Sequence, residues 1–390
     1  MAIATSVVLA AAASAWCWTL VASLRTAAAL PHLAPLSHDA RADWPTVEVV
    51  IPARDEAADI GDTLARFAAS DYPGLGVIAV NDRSTDATGA LMDAAASADP
   101  RVRVIHLDTL PEGWIGKVNA MARATSIATA DWLLFCDADV KFAPGAIATT
   151  VDAAERAGLD LLTAFPHMEP MGLAADATMV AMSTLAMVGG RLWEAADPDK
   201  ATVAGFGAFL LVRSAHLQQR TPGLEWLRLE VADDVGMGLL IKRHGGRIGV
   251  YNAASILSLR WYASYREMAR RMEKNWFVIM GRCSAARTAA IGLLAVVSGL
   301  APLLVALPGL PWYGVVTGAI ALVAQLGAAL VFVRWLGRNP LLALTVPLGC
   351  VLVGAMAFNA AWRGGREGGV RWRDTFYPSA LLRDAQRVRF

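Results

Sequence analysis

Two carboxylates one residue apart, Asp137 and Asp139, directly follow the apolar run 132–136. Mg²⁺ and Mn²⁺ prefer oxygen ligands, and such ions are often held by one or two carboxylates together with phosphate oxygens. A pair of acids at the end of a buried strand could therefore hold a divalent cation and a diphosphate. Acids at this spacing also occur in solvated turns, so the spacing alone does not indicate a metal site. The elements around the pair must support that interpretation.

Between residues 44 and 282, short apolar runs alternate with helix-like stretches, which is typical of an α/β domain with a mainly parallel sheet. The predicted strands are 47–51, 77–80, 102–105, 132–136 and 159–164. The predicted helices are 57–69, 85–96, 118–129 and 144–157. In open sheets of this kind the ligand lies outside the carboxyl ends of the strands.

Three of the predicted strands end in polar clusters, which we expect to converge at one edge of the sheet. The clusters contain Pro52, Asp55 and Glu56 after the first strand, Asp82 and Asp86 after the second, and Asp137 and Asp139 after the fourth. Asp82 could accept hydrogen bonds from a base or a ribose. Asp86 could cap the next helix, and Asp55 and Glu56 could either cap a helix or contact a ligand.

Four motifs stand in a fixed order: 52–56, Asp82-x-Ser84-x-Asp86, Trp114-x-Gly116-Lys117 and Asp137-x-Asp139. Over residues 47–277 this set resembles the family-2 glycosyltransferases with a GT-A fold, and the apolar flanks resemble the integral-membrane branch of that family. The resemblance implies a Rossmann-like α/β domain that uses a nucleotide-sugar. It implies that Asp55 and Asp82 contact the nucleoside. It also implies that Lys117 contacts the donor phosphates or sugar, and that Asp139 and Asp137 hold Mg²⁺ or Mn²⁺ and the diphosphate.

The catalytic base of that family lies in a later acidic pair, which Asp233 and Asp234 match although Asp233 replaces the usual glutamate. Asp234 is the expected general base, and Asp233 is the alternative. A helix cap is the structural alternative for the pair. Upstream, the segment 205–209 resembles a glycine-containing strand on the acceptor side, where Gly205 and Gly207 would allow a close approach to the backbone.

Arg260 and Trp261 match the end of the family signature Gln-x-x-Arg-Trp, but Leu257 stands in place of the glutamine. The incomplete signature argues against a processive polysaccharide synthase. Arg260 can still neutralise a departing diphosphate, because its delocalised cation carries several donors. Trp261 could stack on a sugar or anchor the chain at a membrane interface.

The composition indicates a membrane protein, because 56% of the residues are hydrophobic and only 18% are charged. Four apolar stretches are long enough to span a bilayer: 3–24, 288–310, 312–335 and 341–362. We predict an anchor over 1–28, a GT-A domain over 44–282, a membrane region of two or three spans over 288–362 and a basic tail over 363–390. A cleaved signal peptide is the alternative for the first stretch, which lacks a basic start.

Arg25, Arg282 and Arg287 flank the apolar stretches and place the catalytic domain on the cytoplasmic face of a bacterial-type plasma membrane. Four complete spans would leave the arginine-rich tail outside. One late segment is therefore predicted to be re-entrant or interfacial, either near Pro302 or from Leu341. The formal charge of +1 does not indicate nucleic-acid binding. The spacing of the 4 cysteines is not typical of a zinc site or of a disulfide framework.

The segment 259–277 resembles lipid-modifying members of the family, including hopanoid- and carotenoid-associated glycosyltransferases. Basic residues there alternate with Met268, Met272 and Trp276, as on a helix that lies on a membrane, although a helix packed on the domain is equally open. The methionine-rich stretch 168–187 could meet a lipid acceptor or could be core.

The resemblance thus implies an inverting, metal-dependent transfer of a sugar from a nucleotide-sugar to a membrane lipid hydroxyl. A UDP-sugar is the expected donor, and a GDP-sugar would require the same residues. The alternatives are a processive polysaccharide synthase and a catalytically silent membrane scaffold that binds a nucleotide-sugar.

Overall fold

The computed structural model describes residues 2–36 and 43–389, which form two compact units. We call the unit of Met1–Leu30, Pro170–Trp193 and Trp261–Phe390 the helical unit, and the unit of Pro31–Glu169 and Glu194–Arg260 the sheet unit. Two segments of the predicted domain 44–282 differ from that prediction, because 170–193 and 261–282 belong to the helical unit. Their apolar side chains pack among its long helices.

Helices and strands alternate along most of the chain. The first half contains α1 (Ala2–Ala29), β1 (Val47–Ala53), α2 (Ile60–Ala68), β2 (Leu75–Asp82), α3 (Thr88–Ala98), β3 (Val102–Leu107), α4 (Gly116–Thr125), β4 (Trp132–Phe135), β5 (Lys141–Phe142), α5 (Ala146–Arg156), β6 (Leu161–Phe165), β7 (His167–Met168) and α6 (Leu173–Gly190). The second half contains β8 (Leu210–Arg213), α7 (Ser214–Arg220), α8 (Asp233–Arg243), β9 (Ile248–Asn252), β10 (Leu257–Leu259), α9 (Tyr265–Arg271), α10 (Ala285–Leu300), α11 (Trp312–Trp335), α12 (Val346–Glu367), β11 (Gly369–Trp372), β12 (Thr375–Pro378) and α13 (Ser379–Ala385).

The sheet unit is built on a seven-stranded sheet with the order β3-β2-β1-β4-β8-β6-β9. All neighbouring strands are parallel except β8, which runs antiparallel to both β4 and β6. The central strands are buried along their length, with Val49, Ile78 and Leu134 fully enclosed. The predicted α/β fold with a mainly parallel sheet is confirmed.

The five predicted strands are all present, with ends that differ by as many as two residues. The second strand is longer than predicted at both ends, and the strand predicted over 159–164 begins at Leu161. The antiparallel strand β8 and a second, three-stranded sheet of the order β5-β10-β7 were not predicted.

Four helical segments in the described part of the chain are long and apolar enough to cross a membrane: Ala2–Ala29, Ala285–Ala306, Trp312–Trp335 and Pro340–Glu367. They coincide with the four predicted stretches. Small residues lie where the helices meet, which allows the helix backbones to approach closely. Gly314, for example, lies against Ser6, and Gly292 lies against Ala357.

The contacts within the helical unit fix the direction of each long helix. Helix α11 runs parallel to α1, since Gly314 lies against Ser6 and Gly327 against Leu20. The helical segment Ala285–Ala306, which contains α10, runs antiparallel to α11, since Gly318 lies against Val305 while the Gln325 amide donates to the carbonyl of Gly299.

Helix α12 is also antiparallel to α10, with Gly299 against Cys350 and Gly365 against Ala285. Helices α11 and α12 follow each other in the chain and nevertheless run in the same direction. The connecting segment 336–345 must therefore turn back along the bundle, and it carries the exposed side chains of Leu341 and Leu344. The predicted re-entrant segment from Leu341 begins within this connection, and its relation to a membrane stays a prediction.

The membrane-surface helix predicted within 259–277 is interrupted in the structure. Helix α9 covers only Tyr265–Arg271 and is followed by the π-helical segment Asn275–Met280. Met268, Met272 and Trp276 are buried within the helical unit, so the alternative of a packed amphipathic helix describes them better. In the methionine-rich stretch, Met171 and Met179 are buried as well.

Candidate active site of the sheet unit

The acidic clusters of three strands meet at one edge of the sheet. Strand β1 lies between β2 and β4, so the carboxyl ends of these three strands are neighbours. Pro52 stands opposite Val80 in β2, and Val50 stands opposite Phe135 in β4. The predicted convergence is therefore observed.

Asp55 and Asp86 tie the loops after β1 and β2 together. The backbone amide of Thr85 donates to Oδ1 of Asp55 at 2.8 Å, and the amide of Ala57 donates to Oδ2 of Asp86 at 3.1 Å. Asp86 also accepts from the amide of Thr88 at 2.9 Å, at the start of α3, which confirms its capping interaction. Capping is wrong for Asp55, because α2 begins only at Ile60 and the Asp55 carboxylate faces the neighbouring loop.

Asp82 is buried at the end of β2 and pairs with Arg83. The guanidinium of Arg83 donates from Nε to Oδ1 at 2.8 Å and from Nη2 to Oδ2 at 3.1 Å. A Cβ atom at Gly116 would lie 2.3 Å from Oδ2 of Asp82, so the glycine of the Trp-x-Gly-Lys motif makes room for this carboxylate. Arg83 was not predicted, although its place beside the acid in the Asp-x-Ser motif was a usable signal.

The turn after β4 presents Asp137 and Asp139. The hydroxyl of Thr63 donates to the carbonyl of Ala138 at 2.5 Å and fixes the turn. Burial, with the negative charges of Asp137 and Glu56, raises the pKa of Asp139 to about 7. The influence of Glu56, which follows β1, agrees with the meeting of the two clusters.

Lys117 lies between the two acidic pairs. Its Nζ is 2.8 Å from Oδ1 of Asp137 and 3.4 Å from Oδ2 of Asp233. Burial alone would lower the pKa of this ammonium, but the two carboxylates outweigh burial and raise the pKa above its ordinary value. Lys117 therefore stays charged and joins residues that are about a hundred positions apart in the sequence.

Asp233 and Asp234 begin helix α8. Asp234 accepts hydrogen bonds from the backbone amide of Gly207 to Oδ2 at 2.9 Å and from the amide of Val235 to Oδ1 at 2.8 Å. Burial and the neighbouring Asp233 raise the pKa of Asp234 to about 6, against the opposing effect of Lys117. A carboxylate with this pKa can take up a proton near neutral pH.

The glycine-containing segment 205–209 is a loop, so its prediction as a strand is wrong; the strand begins at Leu210. The loop packs on the start of α8 instead of pairing in the sheet. A Cβ at Gly205 would lie 1.9 Å from the carbonyl oxygen of Asp234. Gly205 is thus needed for a close approach of backbone to backbone, and Gly207 holds the Asp234 carboxylate.

The carboxylates of Asp137 and Asp139 are suited to hold a divalent cation. Within residues 2–36 and 43–389, no three His, Cys, Asp or Glu side chains are grouped so that they could hold a metal by themselves. Two carboxylates with further oxygens from a diphosphate would complete the shell of Mg²⁺ or Mn²⁺. Burial and the neighbouring carboxylates, which raise the pKa of Asp139, disfavour its ionised form, and a bound cation would stabilise that form.

Arg260 is exposed and directly follows β10. Strand β10 pairs antiparallel with β5, where Ser258 stands opposite Lys141. Trp261 begins the next segment of the helical unit, where its ring stacks on Tyr262 with centroids 5.5 Å apart.

Comparison with known proteins gives a family match for part of the chain. Residues 48–216 match the family described as Glycosyl transferase family 2, and no curated protein matches the chain. Among solved structures, the chain is similar to the mannosyltransferase PcManGT from Pyrobaculum calidifontis in complex with GDP-Man and Mn²⁺. That likeness has a TM-score of 0.50 and 18% identity and covers 94% of this chain and 99% of that chain.

A weaker likeness is found to glucosyl-3-phosphoglycerate synthase from Mycobacterium tuberculosis, with a TM-score of 0.40 and 19% identity over 59% of this chain and 81% of that chain. The similarity to PcManGT shows a common fold. Together with the family match, it establishes that residues 48–216 are a glycosyl transferase family 2 domain with a GT-A fold.

Proposed function

We propose that this protein is an inverting glycosyltransferase that moves a sugar from a nucleotide-sugar to the hydroxyl of a membrane lipid. The proposal depends chiefly on one observation. Nζ of Lys117 lies 2.8 Å from Asp137 and 3.4 Å from Asp233, and this proximity of the two acidic pairs supports a metal-bound diphosphate close to a proton acceptor.

The donor side consists of the strand-end clusters. Asp55 and Asp82 would contact the nucleoside, with Pro52 and Glu56 beside them, and Lys117 would contact the phosphates or the sugar. Asp137 and Asp139 would hold Mg²⁺ or Mn²⁺. When bound, the cation would stabilise the negative charge of the leaving diphosphate.

The acceptor side depends on Asp234. Its carboxylate is held by two backbone amides, and its pKa of about 6 allows it to be ionised at neutral pH and still accept a proton. In the reaction, the acceptor oxygen would form a bond to the anomeric carbon as the bond to the diphosphate oxygen breaks. Asp234 would take the hydroxyl proton, and Arg260 would offset charge on the leaving group.

A lipid acceptor is supported by the four helices that could cross a membrane and by Leu257, which interrupts the signature of the processive synthases. The positive-inside pattern supports a catalytic domain on the cytoplasmic face of the membrane. PcManGT was solved with GDP-Man and Mn²⁺, so both GDP- and UDP-sugars belong among the donors to be tested.

The test is transfer by the purified full-length protein in native-lipid vesicles, with radiolabelled UDP- and GDP-sugars and with Mg²⁺ or Mn²⁺. Label in a discrete organic-soluble product is the expected result, and Asp234→Asn serves as the inactive control. Label in high-mass material would replace the proposal with a polysaccharide synthase. Donor binding without transfer from any donor would favour a silent scaffold.

A further inference from the structure

The basic tail after α12 is folded and returns to the start of α10. Its hairpin of β11 and β12 is followed by α13, whose Leu382 is buried. The Arg383 guanidinium donates to the carbonyl of Cys283 at 3.2 Å, and the Gln386 amide donates to the carbonyl of Val278 at 3.2 Å. Nζ of Lys274 lies 4.0 Å from the ring centroid of Trp372.

These contacts place the tail at the end of the helix bundle where α10 begins. Arg282 and Arg287 lie at the same end, one just before α10 and one in its first turn. The tail therefore shares a membrane face with these arginines, because α12 ends where α10 starts. Four complete spans were expected to leave the arginine-rich tail on the opposite face from Arg282 and Arg287. The parallel direction of α11 and α12 brings the tail back to the face of these arginines.

The hairpin has one buried and one exposed face. Val370 pairs with Tyr377, and both are buried, whereas Arg371 pairs with Phe376, and both are exposed. The Arg371 guanidinium lies 5.6 Å from the Phe376 ring centroid, so the outward face combines a cation and an aromatic ring.

The rest of the tail is also rich in exposed cations. Between residues 363 and 390 the chain has 7 arginines and 3 acidic residues, a net charge of +4. We define the tail surface by its exposed members: Arg366, Arg371, Arg373, Phe376, Leu381 and Arg389. Exposed arginines with exposed apolar side chains, beside the end of a candidate span, have the composition of segments that bind anionic lipid headgroups.

We propose that the tail surface binds anionic phospholipid headgroups on the membrane face where α10 begins. The arginines would pair with headgroup phosphates, and Phe376 and Leu381 would enter the apolar boundary beneath them. Charge complementarity and the position of the surface at the end of a candidate span favour a lipid over an acidic protein. This inference does not depend on the proposed transfer reaction.

The test uses the full-length protein in phosphatidylcholine vesicles with spin-labelled phosphatidylglycerol or spin-labelled phosphatidylcholine. The ratio of the two association constants measures selectivity for the anionic lipid. In the triple variant Arg366→Gln/Arg371→Gln/Arg389→Gln we expect this ratio to fall about fivefold or more, since each surface arginine contributes to headgroup attraction.

The matched control removes three exposed arginines from helices of the sheet unit: Arg66→Gln/Arg123→Gln/Arg220→Gln. It should keep the selectivity of the wild type. An equal loss in both triple variants, or no loss in the tail variant, would overturn the proposal.

Two further measurements separate headgroup binding from a disturbed fold. Replacing the same three tail arginines by lysine keeps the charge and should keep the selectivity. In the unchanged protein, raising the ionic strength from about 0.01 M to about 1 M shortens the Debye length from about 30 Å to about 3 Å and should abolish most of the selectivity. Selectivity that is insensitive to salt, or lost in the lysine variant, would contradict binding by charge.

Discussion

The sheet unit contains two aspartate pairs of similar composition whose surroundings differ. Asp137 and Asp139 occupy a turn after a strand, where burial and the negative charges of Asp137 and Glu56 raise the pKa of Asp139 to about 7. Asp233 and Asp234 begin a helix, where two backbone amides hold Asp234 and its pKa is raised to about 6. One pair has a surplus of negative charge, whereas the other has an oriented carboxylate.

In the proposed reaction, this difference separates two chemical tasks. A surplus of carboxylates attracts a cation, and a fixed carboxylate with a pKa just below neutral accepts a proton. Lys117 contacts a member of each pair, so a change in one pair is expected to alter the charge around the other. Removing these charges one at a time tests whether the two aspartate pairs have different roles.

The largest effect is expected for Asp234→Asn. An amide cannot accept the hydroxyl proton, so the transfer rate should fall by about 10²–10⁴-fold. Binding of the donor with its metal, measured by calorimetry, should be nearly unchanged because the proposed role of Asp234 is on the acceptor side.

Asp233→Asn is the matched variant, since it removes the neighbouring charge and keeps Asp234. A smaller loss of rate is expected from it. If Asp233→Asn is the inactive variant and Asp234→Asn transfers sugar normally, the general base is Asp233.

Asp139→Asn tests the pair that follows β4, which is proposed to hold the metal. Loss of a carboxylate ligand should weaken metal-dependent donor binding by about tenfold or more, an effect already typical for changes one shell further from a metal. The measurement is a donor titration by calorimetry at fixed Mn²⁺, repeated with a chelator. Wild-type affinity in Asp139→Asn would show that the cation is held elsewhere.

Gly205→Ala tests the loop that holds the base. The new Cβ would lie 1.9 Å from the Asp234 carbonyl oxygen, so the backbone must shift, at a cost of about 1–3 kcal/mol as for other overpacked sites. We expect a lower melting temperature together with reduced transfer. Gly61→Ala in α2 is the control, because its Cβ would have its nearest neighbour at 4.0 Å and alanine favours a helix. Equal melting temperatures for the two variants would contradict the tight approach.

The smallest expected effect is a displaced pH profile. Only ionised Asp234 can act as base, so kcat/KM should fall about tenfold per pH unit below pH 6 and reach a plateau above it. Lys117→Gln removes a charge that lowers the pKa of Asp234, and the acid limb should therefore move to higher pH. A profile of initial rates at low donor concentration measures both. An unmoved limb in Lys117→Gln would mean that Lys117 does not influence the base.

Much of the fold could be predicted because its elements have local signals. The strands β1, β2 and β4 are apolar runs that end in polar clusters, and their parallel order places these ends together. The short strand β8 was missed because its position depends on antiparallel pairing with β4 and β6, which no local pattern specifies. The loop at Gly205 was mistaken for a strand for the same reason, since its contact partner is the distant backbone of Asp234.

By itself, the sequence determined the residue types available for chemistry and the lengths of its apolar segments. Carboxylates at strand ends and long charge-poor helices follow from composition and period alone. Only the tertiary structure decided that Lys117 joins the two aspartate pairs and that the tail returns to the start of α10. The physical reason is that distances between residues far apart in the chain, and the electric field they create, are set by packing and not by local sequence.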